Sequence, residues 1–206
     1  MPAEKTRWAQ AVEFHGHSCM GLAVGFRVSE AALLALGSSR DLDEELIAVV
    51  ENDSCAVDAI QVMTGCTLGK GNLIYKDYGK QVYTFALRPQ GKAVRIVVKR
   101  RREEPSPRFT ELRHKISRGE ATAEEEKIYR DLMAERINEF LSRPLEEVLE
   151  MHEIEFTPPE KAKVFATVKC GYCGEEVMEP RARIKNGQVA CIPCAVQYSR
   201  GWGKEN

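Results

Sequence analysis

Two Cys-x-x-Cys pairs near the C-terminal end, Cys170-Gly171-Tyr172-Cys173 and Cys191-Ile192-Pro193-Cys194, constrain this chain more than any other feature. Two intervening residues let both thiolates of a pair turn onto one ion. Two such knuckles supply the four sulfurs of a tetrahedral structural zinc site, each about 2.3 Å from the metal. Between the pairs, residues 181–185 and 188–191 flank Asn186-Gly187, a strong signal for a tight hairpin that brings the second knuckle beside the first. A module of about 40 residues buries too little apolar surface to stand alone, so the metal supplies much of its folding free energy. Two redox dithiols are the competing reading. No thioredoxin-like βαβ pattern surrounds either pair, which favours zinc, and a rubredoxin-type iron centre ranks lower still.

The rest of the 206 residues has room for one ordinary domain. At 43% hydrophobic and 30% charged residues, the composition is that of a soluble globular protein. A formal net charge of −1 exerts no global pull on nucleic acid or an anionic membrane, so a nucleic-acid role requires a local basic patch. Arg181, Arg183, Lys185, Arg200 and Lys204 with Tyr198 and Trp202 are the ribbon residues for such a patch. A solvated face or a protein-docking surface would use the same residues. The start, Met1-Pro2-Ala3-Glu4-Lys5, lacks the apolar stretch of a signal peptide, and the longest apolar run, residues 46–50, is far short of a membrane helix. The expectation is a cytoplasmic protein without membrane contact. In a reducing compartment seven cysteines point to metal ligands or reactive thiols before disulfides. Outside the ribbon, Cys19, Cys55 and Cys66 remain.

Along the chain, residues 5–14 read as a helix ended by Gly16, and a second helix runs from near Cys19 to about Leu36, stopping at Gly37. Gly21 and Gly25 inside it imply tight packing or a nearby ligand, because helical glycine costs up to about 1 kcal/mol relative to alanine. Residues 46–51 look like a buried strand and 55–64 like a helix with Ala56, Ala59, Ile60 and Met63 on one face. Period-two stretches at 82–87 and 93–98 flank Pro89-Gln90-Gly91-Lys92 and read as an antiparallel hairpin. The basic run Lys99 to Arg102, beside Glu103 and Glu104, reads as a charged strand edge. Residues 106–156 are helical and charged, with stripes at Phe109, Leu112 and Ile116 and at Ile128, Leu132, Met133, Ile137, Phe140 and Leu141. Pro144 opens a third short helix through Met151. So narrow a stripe must lie on the core or on a second copy of the protein. The predicted fold class is an α+β core with antiparallel strands and packed helices (1–104), a helical arm (105–158) suited to a dimer interface, and a small C-terminal zinc ribbon (159–206).

Phe14-His15-Gly16-His17-Ser18-Cys19 puts two imidazoles and a thiol within five positions. Alternate side chains of an extended segment share a face, which groups His15, His17 and Cys19. Cys19 and Cys55 both fall at helix N-termini, where the dipole and free amides lower a thiol pKa. Cys66 opens the glycine-rich loop 65–72. Buried cysteines and backbone-satisfied histidines are the plain alternative, but three thiols and two histidines in one domain favour a shared site. The mixed donors suit zinc and admit iron, nickel or copper, and fewer than four protein ligands would leave a position open for water or substrate. The loop 65–72 is not a Walker motif: Gly65 and Gly69 have three residues between them, Lys70 precedes Gly71, and the magnesium-binding hydroxyl is missing. A backbone anion nest remains, with Lys70 as its cation and Asn72 at its end as candidate cofactor-binding residues.

The stretches FHGHSCMGLAVGFR, ENDSCAVDAIQVMTGCTLGKGN and KDYGKQVYTFALR resemble the FmdE family, named for the FmdE component of formylmethanofuran dehydrogenase. The resemblance covers roughly residues 10–100. It implies an α+β core and, in members that like this chain add a zinc-finger domain, an intertwined homodimer. It also implies His17, Cys19 and Cys55 as core metal ligands, with His15 and Cys66 behind them. Met20 stands where the family usually has proline after the first cysteine. The parent enzyme joins carbon dioxide to methanofuran using molybdenum or tungsten and iron-sulfur centres on its other components. This sequence has no ferredoxin-type cysteine run, so the name implies association at most. The expected function is a metal-binding accessory or regulatory protein whose ribbon docks to protein or nucleic acid. The alternative is a metal- or thiol-dependent enzyme using the core His/Cys site, or a transcriptional or RNA regulator.

Overall fold

A computed structural model describes residues 6–88, 91–99 and 106–195. The chain forms two compact units, Met1–Lys161 and Ala162–Asn206.

The N-terminal unit starts with α1 (Arg7–His15), capped by Thr6 Oγ1, which accepts from Ala9 N–H. Gly16, at φ 90°, ends it in the left-handed conformation that glycine adopts without Cβ strain. The chain then extends through Cys19 into α2 (Met20–Leu36), which Gly37 closes. Next come β1 (Leu46–Val50), α3 (Ala56–Thr64), β2 (Leu73–Tyr75), β3 (Val82–Leu87) and β4 (Lys92–Val98). β1 is buried along its whole length, as expected of a central strand. The five-stranded sheet has the order β2-β1-β3-β4-β5, where β5 is Leu149–Glu155. β1 and β2 run parallel, joined through α3; every other neighbouring pair is antiparallel. The three-residue β2 has no counterpart in the sequence reading, being too short to show a period.

The main core is a cluster of α2, α3 and sheet residues, including Leu36, Leu46, Ile60, Tyr83, Phe85 and Ile96, and a smaller cluster of Ala11, Leu22 and Ala59 joins α1 to α2 and α3. The helical glycines explain how α2 and α3 approach. A Cβ on Gly25 would lie 2.1 Å from the Ala56 carbonyl oxygen, and one on Gly21 would lie 3.1 Å from Cys55 Cβ. The tight packing expected at these glycines is therefore against the first turn of α3.

The charged segment after β4 builds α4 (Pro107–Ser117) and α5 (Ala123–Ser142). Thr122 and Glu125 form a capping box at the start of α5. Phe109 stacks on Tyr129 at 5.0 Å between ring centroids, with the Arg136 guanidinium 4.6 Å over the Phe109 ring. Ile137 and Phe140 are buried in the main core, and Met133 and Leu141 pack against it. Within a single chain the arm thus lies on the core, one of the two placements its stripe allowed. The expected third helix through Met151 needs correction. Only Leu145–Val148 is helical (α6), and the next seven residues are β5, paired along β4 from Lys92↔Glu155 to Val98↔Leu149. Pairing satisfies the β4 edge, whose backbone groups would otherwise remain open. Lys99 Nζ donates to Glu146 O; Arg100, Arg101, Arg102, Glu103 and Glu104, together with Pro89 and Gln90 of the expected turn, lie outside the described residues.

The C-terminal unit holds two small antiparallel hairpins, β6 (Thr167–Lys169) with β7 (Glu176–Met178) and β8 (Arg183–Lys185) with β9 (Gln188–Ala190). Asn186 (φ 50°) and Gly187 (φ 76°) make the second turn, as their sequence predicts. The chain is a mixed α+β protein with a four-cysteine ribbon.

Candidate metal centres

In the ribbon, the first knuckle follows β6 and the second follows β9. The sulfurs of Cys170, Cys173, Cys191 and Cys194 all lie within 4.8 Å of one another, and Cys173 Sγ is 3.8 Å from Cys191 Sγ. A tetrahedron with zinc–sulfur bonds of about 2.3 Å has sulfur–sulfur edges of about 3.8 Å, so the donors fit zinc. The Cys191 N–H donates to Cys170 Sγ at 3.3 Å. Amide hydrogen bonds from Cys173, Cys191 and Tyr172 pull the Cys170 thiol down to about 6. At Cys173 the Glu175 amide pulls the same way, but hydrogen bonding with Cys170, desolvation, and Cys191 and Cys194 push harder, to about 12. Four thiols this close cannot all ionise unless a cation neutralises them. Lys185 Nζ donates to Cys194 O at 2.9 Å and lies 4.7 Å over the Tyr172 ring, so it braces the ribbon. Arg181 and Arg183 are exposed; Tyr198, Arg200, Trp202 and Lys204 of the candidate patch lie outside the described residues.

In the N-terminal unit His15, His17 and Cys19 offer donor atoms that lie within 4.8 Å of one another. The grouping was expected, but its geometry differs from an extended run. His15 ends α1, Gly16 reverses the chain, and Cys19 is the N-cap of α2, where its Sγ accepts from Leu22 N–H at 3.3 Å. The two imidazole rings sit 4.5 Å apart. His15 Nδ1 is 2.7 Å from Asp58 Oδ2, and His15 Nε2 is 3.7 Å from Cys19 Sγ. The carboxylate assigns the proton to Nδ1 and leaves the Nε2 lone pair facing the thiol, which is how second-sphere carboxylates orient metal-binding histidines. Asp58 is absent from the residues that the sequence singles out. The available signal was its place three residues after Cys55, on the same face of one helix.

Cys55, the N-cap of α3, sits against Gly21 and near Cys19, outside the group formed by His15, His17 and Cys19. A loop network delivers it: Asn52 Oδ1 accepts from Ser54 N–H (3.2 Å) and Ser54 Oγ–H (2.7 Å), while Asn52 Nδ2 donates to Lys80 O (2.6 Å). The expected depression of the Cys55 thiol does not occur. Burial pushes it up, and the charge of Cys19 and a hydrogen bond to it add to the rise. Desolvation and a neighbouring thiol outweigh the helix terminus. Cys66 is elsewhere. It is fully buried in the hydrophobic core, its Sγ–H donates to Leu46 O at 3.3 Å, and burial raises its thiol to about 11.

The loop candidates are likewise engaged in structure. Lys70 Nζ donates to Asp43 O at 2.8 Å. Asn72 is fully buried; its Nδ2 donates to Leu46 O (2.9 Å) and Asp43 O (3.2 Å), and its Oδ1 accepts from Thr67 N–H (2.9 Å). Both side chains staple the loop to residues 43–46. A pocket of about 480 Å³ opens beside the core group, with His15, Cys55 and Asp58 on one wall and Val50, Leu68 and Tyr75 among the others. Among the described residues no helix is long and apolar enough to cross a membrane.

Three comparisons bear on this arrangement. Residues 165–200 match the prokaryotic DksA/TraR C4-type zinc finger, which agrees with zinc on the four ribbon cysteines. The chain is 37% identical over 196 residues to a probable S-adenosyl-L-methionine-binding protein of Archaeoglobus fulgidus, covering 92% of this chain and 52% of that protein. It therefore spans about half the length of that curated relative. Its fold resembles the crystal structure of a tungsten formylmethanofuran dehydrogenase FmdE-like protein from Syntrophus aciditrophicus. The TM-score is 0.60 at 23% identity, over 91% of each chain. Residues 14–150, which hold the His/Cys group and the first four strands of the large sheet, match the model described as FmdE, molybdenum formylmethanofuran dehydrogenase operon. The chain belongs to the FmdE family.

Proposed function

We propose that this metal-binding protein has an accessory or regulatory role, and that His15, His17, Cys19 and Cys55 hold a second metal in its N-terminal unit. The observation that carries the reading is the tie of His15 Nδ1 to Asp58 while Nε2 faces Cys19 Sγ at 3.7 Å. That separation is near the ~3.5 Å nitrogen–sulfur edge of a tetrahedral zinc site. Two imidazoles and two thiolates favour zinc; iron and nickel are the alternatives the donors admit. The ion would hold the start of α2 against the start of α3.

Metal analysis of the full-length protein tests this. Two metals per chain are expected, falling to one in Cys19→Ser/Cys55→Ser and to one in Cys170→Ser/Cys173→Ser. A single metal lost only with the ribbon cysteines ends the proposal. Asp58→Asn should weaken the core metal about 10–100-fold in a chelator competition and leave the ribbon metal untouched. Equal affinities in wild type and variant would remove Asp58 from the site.

The accessory role draws support from the relative in Archaeoglobus fulgidus, where a similar stretch makes up about half of a longer protein. Association with formylmethanofuran dehydrogenase belongs to the same proposal, as does docking of the ribbon to protein or nucleic acid. The exposed Ile184 and Arg183 on β8 favour such docking. Nucleic-acid binding would fall steeply with salt and vanish on deleting residues 162–206. A homodimer in the cytoplasm completes the reading. β5 supports it as an edge strand exposed on both faces, and light scattering at micromolar concentration should return twice the 23.2 kDa chain mass. A monomeric mass would count against it. The pocket beside His15 and Cys55 supports a second reading, a metal-dependent enzyme. Cobalt substitution separates the two, since an exchangeable ligand in the visible spectrum marks an open coordination position.

A further inference from the structure

We propose that the pocket beside His15 and Cys55 binds a small organic cation, an apolar body carrying an ammonium or amidinium head, with the head at Asp53. The inference deepens the reading of the core site and rests on it only in sharing the wall that His15 and Cys55 form.

The shape argument comes first. Val50, Val57, Leu68, Leu73 and Tyr75 supply an apolar lining, and about 480 Å³ is within the usual range for small-molecule sites. Leu68 is 72% exposed and Tyr75 45%, so the mouth leaves large apolar groups in water. A ligand's apolar body would cover both.

Charge then selects the ligand. The charged carboxylates of the lining are Asp53 and Asp58, and no lysine or arginine is among its residues. Asp58 is committed to His15, with Gln61 at 3.5 Å. Asp53 has no hydrogen-bond or ion-pair partner among the described residues and stands exposed at the rim. The Tyr75 hydroxyl senses the same field: desolvation, a hydrogen bond to Asp77, and the charges of Asp53 and Asp77 hold its pKa above the ordinary value. A divalent ion on two thiolates adds no net charge, so filling the metal centre leaves the pocket anionic. Of the lysines that flank the lining in sequence, Lys70 is turned onto Asp43 O, and the exposed Lys76, next to Tyr75, is outside the lining. Phosphates and carboxylates are thereby disfavoured, and a cation gains both the Asp53 carboxylate and the apolar wall.

The test titrates full-length protein with phenethylamine, the neutral 2-phenylethanol and the anionic 3-phenylpropionate, following backbone amide shifts by NMR. Phenethylamine should move the Leu68, Leu73 and Tyr75 amides and bind about tenfold more tightly than the alcohol, with the carboxylate weakest. Asp53→Asn should bring the amine down to the level of the alcohol and leave the alcohol unchanged. The amine's advantage should also shrink as salt rises. Equal affinity for the three probes, a preference for the carboxylate, shifts elsewhere, or no shift up to about 10 mM would overturn the proposal. Metal content measured on the same samples keeps the two readings apart. Amine binding with one metal per chain removes the core centre alone; two metals without amine binding removes the cation site alone.

Discussion

Stripping zinc from Cys170, Cys173, Cys191 and Cys194 should unfold the two hairpins of the C-terminal unit and leave the five-stranded sheet in place. The C-terminal unit has four strands of three residues each, and its buried hydrophobic residues are Cys170, Ala190 and Cys191 among those described. So small a core contributes far less than chain ordering costs, at about 1–2 kcal/mol per residue. Structural zinc contributes about 10–16 kcal/mol in small finger modules. NMR after treatment with a strong chelator under reducing conditions should show the β6–β9 amides collapse to random-coil shifts. Resonances of β1, β3 and β4 should persist. Cys170→Ser should produce the same pattern without chelator, because one lost sulfur opens the tetrahedron. A ribbon that stays dispersed without metal would contradict this account.

Gly25→Ala should be among the most damaging single substitutions in the N-terminal unit. The new methyl would sit 2.1 Å from the Ala56 carbonyl oxygen and 2.7 Å from its carbonyl carbon and Cα, all backbone atoms at the start of α3. Alanine's higher helix propensity returns at most about 1 kcal/mol. Overpacking costs about 1–3 kcal/mol where side chains can yield, and here a helix must move, so a loss of about 3 kcal/mol or more is expected. Urea denaturation measures it, and metal analysis should show the core metal lost in parallel, since the same shift separates Cys19 from Cys55. Gly69→Ala is the control. Nothing lies within 4 Å of its added methyl, and its stability should stay within about 0.5 kcal/mol of wild type. A Gly25→Ala protein as stable as the Gly69 variant would mean that α2 and α3 can separate freely.

The elements that the sequence made legible share a strong local signal. α2 ends at Gly37 and α3 at Gly65, both in the left-handed conformation. The antiparallel β3–β4 hairpin stands where the two period-two stretches of the sequence place it. β5 escaped because Glu150, His152, Glu153 and Glu155 on an edge strand erase the apolar alternation by which a strand is recognised. Its identity comes from β4, whose open edge it completes. β2 escaped for a related reason, since its parallel pairing with β1 depends on α3 crossing between them.

The same distinction runs through the metal centres. Cys-x-x-Cys carries its turn and its donors in four residues, so the ribbon was determined by sequence alone, down to the Asn186-Gly187 hairpin that closes it. Local spacing also grouped His15, His17 and Cys19. It could not separate Cys55 from Cys66, because the donors lie on different elements and their meeting depends on how those elements pack. Two glycines bring the start of α3 onto the start of α2, setting Cys55 near Cys19 and Asp58 on His15, while Cys66 turns into the core. Chain chemistry supplied the donors; helix-on-helix packing, a non-local and steric matter, decided which of them face one another.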